Sequence, residues 1–316
     1  MSRLFVLILL AGLVLAAVAA WFFLRPEGEV DVLPASERGI PDSEFWSEAD
    51  RWVDVDGLAT RVRIEGPADA TPIVLIHGFS YSLESWDAWA ADLAQDYRVI
   101  RYDLPGHALT GPDPEQRYSV DQTVDHLAGL MDALALDEAV IGGNSLGGLV
   151  AWRYAAGHPD RVSRLALLAP GGFSINGVTE EPVDVPAAVA FFMTSAPEPM
   201  IGAASGALFG DPANMDPGLP HRVHSLMRQP GVGQALVQRL EVFTLPAPGA
   251  DLARVAAPTL ILWGERDAMV PVAHGTDFVA AMPSARLLTY PGLGHVVHEE
   301  APSETVADFR AFLEEG

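Results

Sequence analysis

Three residues whose types cooperate in nucleophilic chemistry stand in the chain order Ser145, Asp267, His295. Ser145 is the centre of Gly143-Asn144-Ser145-Leu146-Gly147, a G-x-S-x-G pentapeptide. A serine hydroxyl is a poor nucleophile at neutral pH until a base takes its proton. Neutral imidazole, with a reference pKa of ~6.5, is suited to taking that proton and handing it to a leaving group. A buried carboxylate fixes the imidazole tautomer and stabilises the imidazolium, and its loss in a serine protease costs ~10⁴ in turnover. The chemistry these types suggest is acyl transfer through a covalent serine intermediate.

The surrounding sequence supplies elements able to place the three groups together. Ala139 to Ile141 is a short apolar run of strand character, and Leu146 to Ala156 carries apolar residues at helical spacing. Ser145 is thereby pinched between a strand end and a helix start, where bulky neighbours at 143 and 147 would collide. The pinch lifts the hydroxyl clear of the sheet and leaves the Leu146 N–H at a helix N-terminus, a position suited to a developing oxyanion. His77-Gly78-Phe79 follows another apolar run, Pro72 to Ile76, and Phe79 offers a second amide. One such donor contributes ~10²–10³ in rate.

From Trp52 onward the chain alternates strand and helix patterns, which requires crossover connections and a mostly parallel, doubly covered sheet. Asp56-Gly57 reads as a hairpin turn at its start. Helical patterns cover 86–93, 120–134, 272–282 and 303–314; strand patterns cover 97–102, 162–168, 259–263 and 286–290. Gly171 to about Pro248 breaks the alternation with a Pro-, Gly-, Ala- and Met-rich stretch, read as a helical insertion over the sheet's end. In open α/β sheets the ligand site lies at the carboxyl ends of the strands. Gly264-Glu265-Arg266-Asp267 and Pro291-Gly292-Leu293-Gly294-His295 both follow strand patterns there.

These motifs together resemble the α/β-hydrolase family, in particular its capped serine esterase and lipase-like members. The resemblance runs from about Trp52 to the C-terminus and includes Asp103-Leu104-Pro105-Gly106-His107. It implies Ser145 as nucleophile, Asp267 as acid in preference to Glu265, His295 as base, and the Phe79 and Leu146 amides as oxyanion hole. It also implies a cap over 171–249 inserted into a core of 46–170 and 250–316. Phe191, Phe192 and Met193 in the cap are candidate substrate-binding residues. The expected activity is hydrolysis of carboxylic esters with small to medium apolar groups, without a cofactor or metal. Epoxide hydrolases and haloalkane dehalogenases are disfavoured because they carry Asp where Ser145 stands. The C–C bond hydrolases of aromatic ring cleavage resemble Gly142-Gly143-Asn144-Ser145, but usually have Trp where Val296 follows the histidine. Amide hydrolysis, acyl transfer and a non-enzymatic binding module remain alternatives to ester hydrolysis.

The amino-terminal region sets further expectations. Leu4 to Leu24 contains no charge, long enough to cross a ~30 Å hydrocarbon core. Arg3 precedes it and acidic residues follow Arg25, a bias that places the N-terminus inside and the body outside. Residues 1–25 are therefore read as a membrane anchor, with a cleaved signal peptide as alternative, and 26–45 as a tether. On either reading the body is extracytoplasmic. The formal charge of −23 disfavours nucleic acid and anionic lipid surfaces as partners. Cysteine is absent, which removes disulfides and thiolate nucleophiles. The histidines show no coherent metal spacing, and His298 is read as a surface residue entering the last helix.

Overall fold

A computed structural model of the protein describes residues 33, 35–175 and 177–315. Its centre is an eight-stranded sheet in the order β1-β2-β4-β3-β5-β6-β7-β8. The strands are β1 (Asp50–Val55), β2 (Leu58–Glu65), β3 (Pro72–Ile76), β4 (Arg98–Tyr102), β5 (Ala139–Asn144), β6 (Val162–Leu168), β7 (Thr259–Gly264) and β8 (Ala285–Tyr290). β1 and β2 pair antiparallel across the tight turn at Asp56 and Gly57, and β2 pairs antiparallel with β4. From β4 to β8 every pairing is parallel.

Strands β3, β5, β6 and β7 are almost wholly buried, which is why they read as continuous apolar runs rather than alternating ones. One face is covered by α1 (Asp87–Leu93) and α11 (Pro302–Glu314), where Trp86, Trp89 and Phe309 pack on Leu75, Val99 and Leu260. The other is covered by α2 (Val120–Ala133), α3 (Leu146–Gly157), α8 (Gly249–Leu252) and α9 (Ala273–Ala281), with Trp152 and Phe278 in the second apolar layer. Ser119 and Gln122 close a reciprocal capping box at the start of α2, which satisfies amides that the first helical turn leaves without partners.

Between β6 and β7 lie α4 (Ala187–Ser195), α5 (Glu198–Gly206), α6 (Leu219–Met227) and α7 (Val232–Glu241). They share their own apolar cluster of Met193, Ile201, Leu219, Val223 and Leu236, joined by Tyr81 and Val296 from the core. α10 (Val297–Glu300) is a single turn just after His295.

One expectation about the chain before β1 changes, and another falls outside the described residues. The second part of the supposed tether docks on the body. Arg38 donates to the carbonyls of Ala59, Leu109 and Thr110 and lies 4.0 Å over the Trp52 ring. Phe45 and Trp46 pack against Leu109 and Leu226. The prolines and acids of this stretch concealed an arginine and an aromatic, Phe45, with partners waiting for them. The apolar run Leu4 to Leu24, read as an anchor, lies outside the described residues. No helix among the described residues is long and apolar enough to cross a membrane.

Candidate active site

Ser145 sits between β5 and α3 with φ 54° and ψ −114°, a left-handed conformation that costs a non-glycine residue ~1–3 kcal/mol. The backbone is held there from both sides. Its amide donates to the Leu168 carbonyl at 3.0 Å, and its carbonyl accepts from Leu149 and Gly171, each at 3.0 Å. The flanking glycines are required by contact. A Cβ on Gly143 would lie 2.3 Å from the Gly147 carbonyl oxygen, and one on Gly147 would lie 2.2 Å from that of Ile76.

His295 follows β8, and Asp267 follows β7. The imidazole Nδ1–H donates to Asp267 Oδ2 at 2.7 Å, because a carboxylate can only accept. Nε2 is thereby left as the basic nitrogen. The Asp267 side chain is fully buried and receives three further donors: Trp263 Nε1 at 3.1 Å and the amides of Met269 and Val270 at 2.8 and 2.9 Å. Glu265, the rival acid, faces outward and accepts from Thr289.

The histidine loop is bolted to its surroundings. The His295 amide donates to the Leu208 carbonyl at 2.6 Å. The Asn144 side-chain amide bridges the Leu168 carbonyl at 3.0 Å and the His295 carbonyl at 3.1 Å, joining the serine turn directly to the histidine loop. The Glu300 carboxylate accepts from the amides of Gly210, Asp211 and Gly294 at 2.7–2.9 Å and from the Asn214 side chain at 3.3 Å.

His77 organises the other loop. Its Nε2 accepts the Leu104 amide at 3.0 Å, so Nδ1 carries the proton and donates to the Gly78 carbonyl at 2.8 Å. Burial lowers its pKa to about 4, which keeps this tautomer neutral. A Cβ on Gly78 would stand 3.0 Å from Asn144 Oδ1 and 3.4 Å from Ser145 Cβ, so this loop passes close to the serine.

Ser145, His295, Phe79 and Leu146 line one cavity of about 220 Å³. The remaining wall is apolar, from Leu149, Ile175, Val178, Leu240, Phe243, Met269 and Val270, with Arg239 as its one arginine among the described residues. Phe191, Phe192 and Met193 are not in this wall. Phe191 is 44% exposed, while Met193 and Phe192 pack in the apolar cluster of α4 to α7. The helical register of α4 points Met193 at its neighbouring helices instead of the sheet. His298 also departs from expectation: it is buried, with its ring 4.2 Å from that of Trp86. Arg239 and Glu300 escaped the sequence reading altogether. For Arg239 a signal existed, since its spacing from Val232, Ala235 and Leu236 puts it on the buried face of α7.

Residues 71–302 match the family model described as alpha/beta hydrolase fold. The dihydrolipoyllysine-residue acetyltransferase component of the acetoin cleaving system of Pseudomonas putida is 32% identical over 253 residues, 78% of this chain and 65% of that protein. The chain thus spans about two thirds of the length of that relative. The 2-hydroxy-6-oxo-6-phenylhexa-2,4-dienoate hydrolase of Burkholderia cepacia is 27% identical over 263 residues, 79% of this chain and 91% of that enzyme. Among solved structures, a meta-cleavage product hydrolase from Pseudomonas fluorescens superposes with a TM-score of 0.72 at 24% identity, covering 83% of this chain and 97% of that one. A serine hydrolase of carbazole degradation gives 0.74 at 23%, covering 84% and 98%; both show the fold. The expected membrane-anchored, extracytoplasmic placement is corrected by these matches. The family match falls within residues 71–302, in a body whose described helices include none able to span a membrane.

Proposed function

Because the chain belongs to the alpha/beta hydrolase fold family, we propose that Ser145, His295 and Asp267 act as nucleophile, base and acid in hydrolysing a bond beside a carbonyl group in a small, largely apolar substrate. The observation that carries this reading is the shared cavity. Ser145 and His295 line the same apolar space, and His295 is oriented by a buried Asp267. Ser145 attacks the carbonyl carbon as His295 Nε2 takes its proton. The Phe79 and Leu146 amides receive the oxyanion; Leu146 opens α3, so its amide has no partner within the helix. His295 protonates the leaving group and then activates the water that frees the acid. The helices α4 to α7 act as the cap.

The bond broken, on this reading, is carbon–carbon. A 2-hydroxy-6-oxo-6-phenylhexadienoate contains no ester or amide, so the hydrolase named for it in Burkholderia cepacia must cleave a C–C bond, and that relative is matched over 91% of its length. Ester hydrolysis is the second reading, and Val296 favours it. This residue is buried in the cap cluster where ring-cleavage C–C hydrolases usually place Trp. Acyl transfer, suggested by the acetyltransferase relative, has the weaker support of a partial match.

Turnover of 2-hydroxy-6-oxo-6-phenylhexa-2,4-dienoate and of p-nitrophenyl butyrate by wild type and Ser145→Ala separates these readings. Serine-dependent cleavage of the dienoate with a much weaker ester activity supports C–C hydrolysis. The reverse ranking replaces it with ester hydrolysis. If Ser145→Ala retains wild-type rates on both, the assignment of the nucleophile falls.

A further inference from the structure

Met269 stands in two environments at once. It follows Asp267 by two residues, and Asp267 Oδ1 accepts its amide at 2.8 Å. The residue contributes to the apolar wall of the Ser145 cavity, yet it is 47% exposed. A methionine so placed forms part of the rim where the cavity meets solvent.

The other methionines differ from it in one respect or the other. The chain contains no cysteine, so no thiol competes with the thioethers for a mild oxidant. Susceptibility of a thioether to oxidation follows its exposure. Met131, Met193, Met227 and Met282 are buried, and Met215 packs partly buried against the apolar cluster of α4 to α7. Met200, on α5, and Met269 are the exposed methionines among the described residues. Of these two, Met269 alone borders the serine cavity.

We propose that Met269 is an oxidative modification site: a peroxide converts its thioether to the sulfoxide, and the Ser145 cavity then takes apolar substrates poorly until the sulfoxide is reduced. This rests on the reading of Ser145 as nucleophile in that cavity. With hydrogen peroxide, a sulfur lone pair attacks one oxygen, the S–O bond forms and the O–O bond breaks. The departing hydroxide takes up the proton of the first oxygen and leaves as water. Sulfur is oxidised by two electrons and the peroxide is reduced by two. The product places a strong acceptor oxygen on a side chain that had been apolar. Turned inward, that oxygen loses its hydration among the apolar side chains of the wall, which is costly for a polar group. Turned outward, it draws the side chain off the wall and lets water onto the apolar surface behind it. Either arrangement weakens the binding of an apolar group beside Ser145.

The test treats the wild type with hydrogen peroxide and follows the sulfoxide at each methionine by peptide mass spectrometry. Beside it runs the rate at which a neutral alkyl fluorophosphonate labels Ser145. Met269 is expected to oxidise together with Met200, ahead of the buried methionines. Labelling should slow by ~10-fold, the scale of one apolar side chain withdrawn from a binding surface. A methionine sulfoxide reductase with dithiothreitol should restore it. Read against its own untreated rate, Met269→Leu should keep its labelling through the treatment, since leucine is close in volume and offers no sulfur. Met200→Leu should slow as the wild type does. Met269 sulfoxide formed in the wild type without loss of labelling overturns the proposal, and that reading needs no variant to fold. Slowing of Met269→Leu to the wild-type extent overturns it too, as does a Met269 that resists oxidation until buried methionines react. If the untreated wild type is not labelled, the serine reading fails, and thermal unfolding decides the modification separately. Butyrophenone, a neutral apolar ketone, raising Tm more before oxidation than after supports it; equal shifts overturn it.

Discussion

Glu300 accepts the Gly294 amide at 2.7 Å, one residue before His295, while the same carboxylate holds the amides of Gly210 and Asp211. The loop that carries the base and the segment joining α5 to α6 therefore share one anchor. Glutamine at 300 would present one acceptor oxygen and an NH₂ group to four donors, two of which would face another donor. Hydrogen bonds to a charged acceptor contribute ~1.5–3 kcal/mol each. Glu300→Gln is expected to lower Tm and to reduce kcat/KM by about tenfold through misplacement of His295. Paired measurements of Tm and kcat/KM check this; an unchanged kcat/KM would mean that Leu208 and Asn144 suffice to hold the histidine loop.

Asp267→Asn should leave the fold intact yet reduce kcat by ~10³–10⁴, the scale set by removing the corresponding acid in a serine protease. Asparagine can turn its NH₂ toward Nδ1 and stabilise the tautomer whose proton sits on Nε2, facing the wrong way for a base. Circular dichroism beside steady-state kinetics tests the pair of expectations. A variant with near wild-type kcat would transfer the acid's role elsewhere.

The sheet and the serine turn were legible because both follow from local patterning. Val162–Leu168 falls on the residues its apolar run marks, and the glycines around Ser145 announce the tight turn through their contacts. What escaped depends on partners distant in sequence. Glu300 is one acid among many until residues 210, 211 and 294 converge on it. Phe191 to Met193 looked like a pocket wall, since three apolar residues in a row do not reveal which helix face meets which neighbour. His298 likewise looked exposed beside two glutamates, although Trp86 covers it.

Gly147→Ala should abolish folding or expression, because its Cβ would come within 2.2 Å of the Ile76 carbonyl oxygen and 2.6 Å of that of His77. Both atoms are backbone and belong to a central strand and the loop after it, so neither can swing aside. Gly157→Ala is the control: its Cβ meets nothing within 4 Å, and alanine favours a helix over glycine by ~1 kcal/mol. Soluble yield and Tm of the two variants check this, and a folded Gly147→Ala with wild-type Tm would contradict the geometry of the turn.

Acid stability should be set by buried neutral histidines. Burial lowers His77 to about 4 and His126 and His298 to about 3, against an ordinary value of 6.5. Between the folded and unfolded values the unfolded chain binds more protons than the folded one. Stability is therefore fully present above pH ~6.5 and is lost as pH falls toward 3–4, by up to ~1.4 kcal/mol per pH unit for each histidine. Of the three, His298 has no hydrogen-bond partner at either ring nitrogen among the described residues, so His298→Phe removes a titrating group without leaving a partner unmet. Its ring can keep the contact with Trp86. The variant is expected to lose less Tm than the wild type between pH 7 and pH 5. Thermal unfolding across that range measures the slope directly, and identical slopes would exclude His298 from the acid transition.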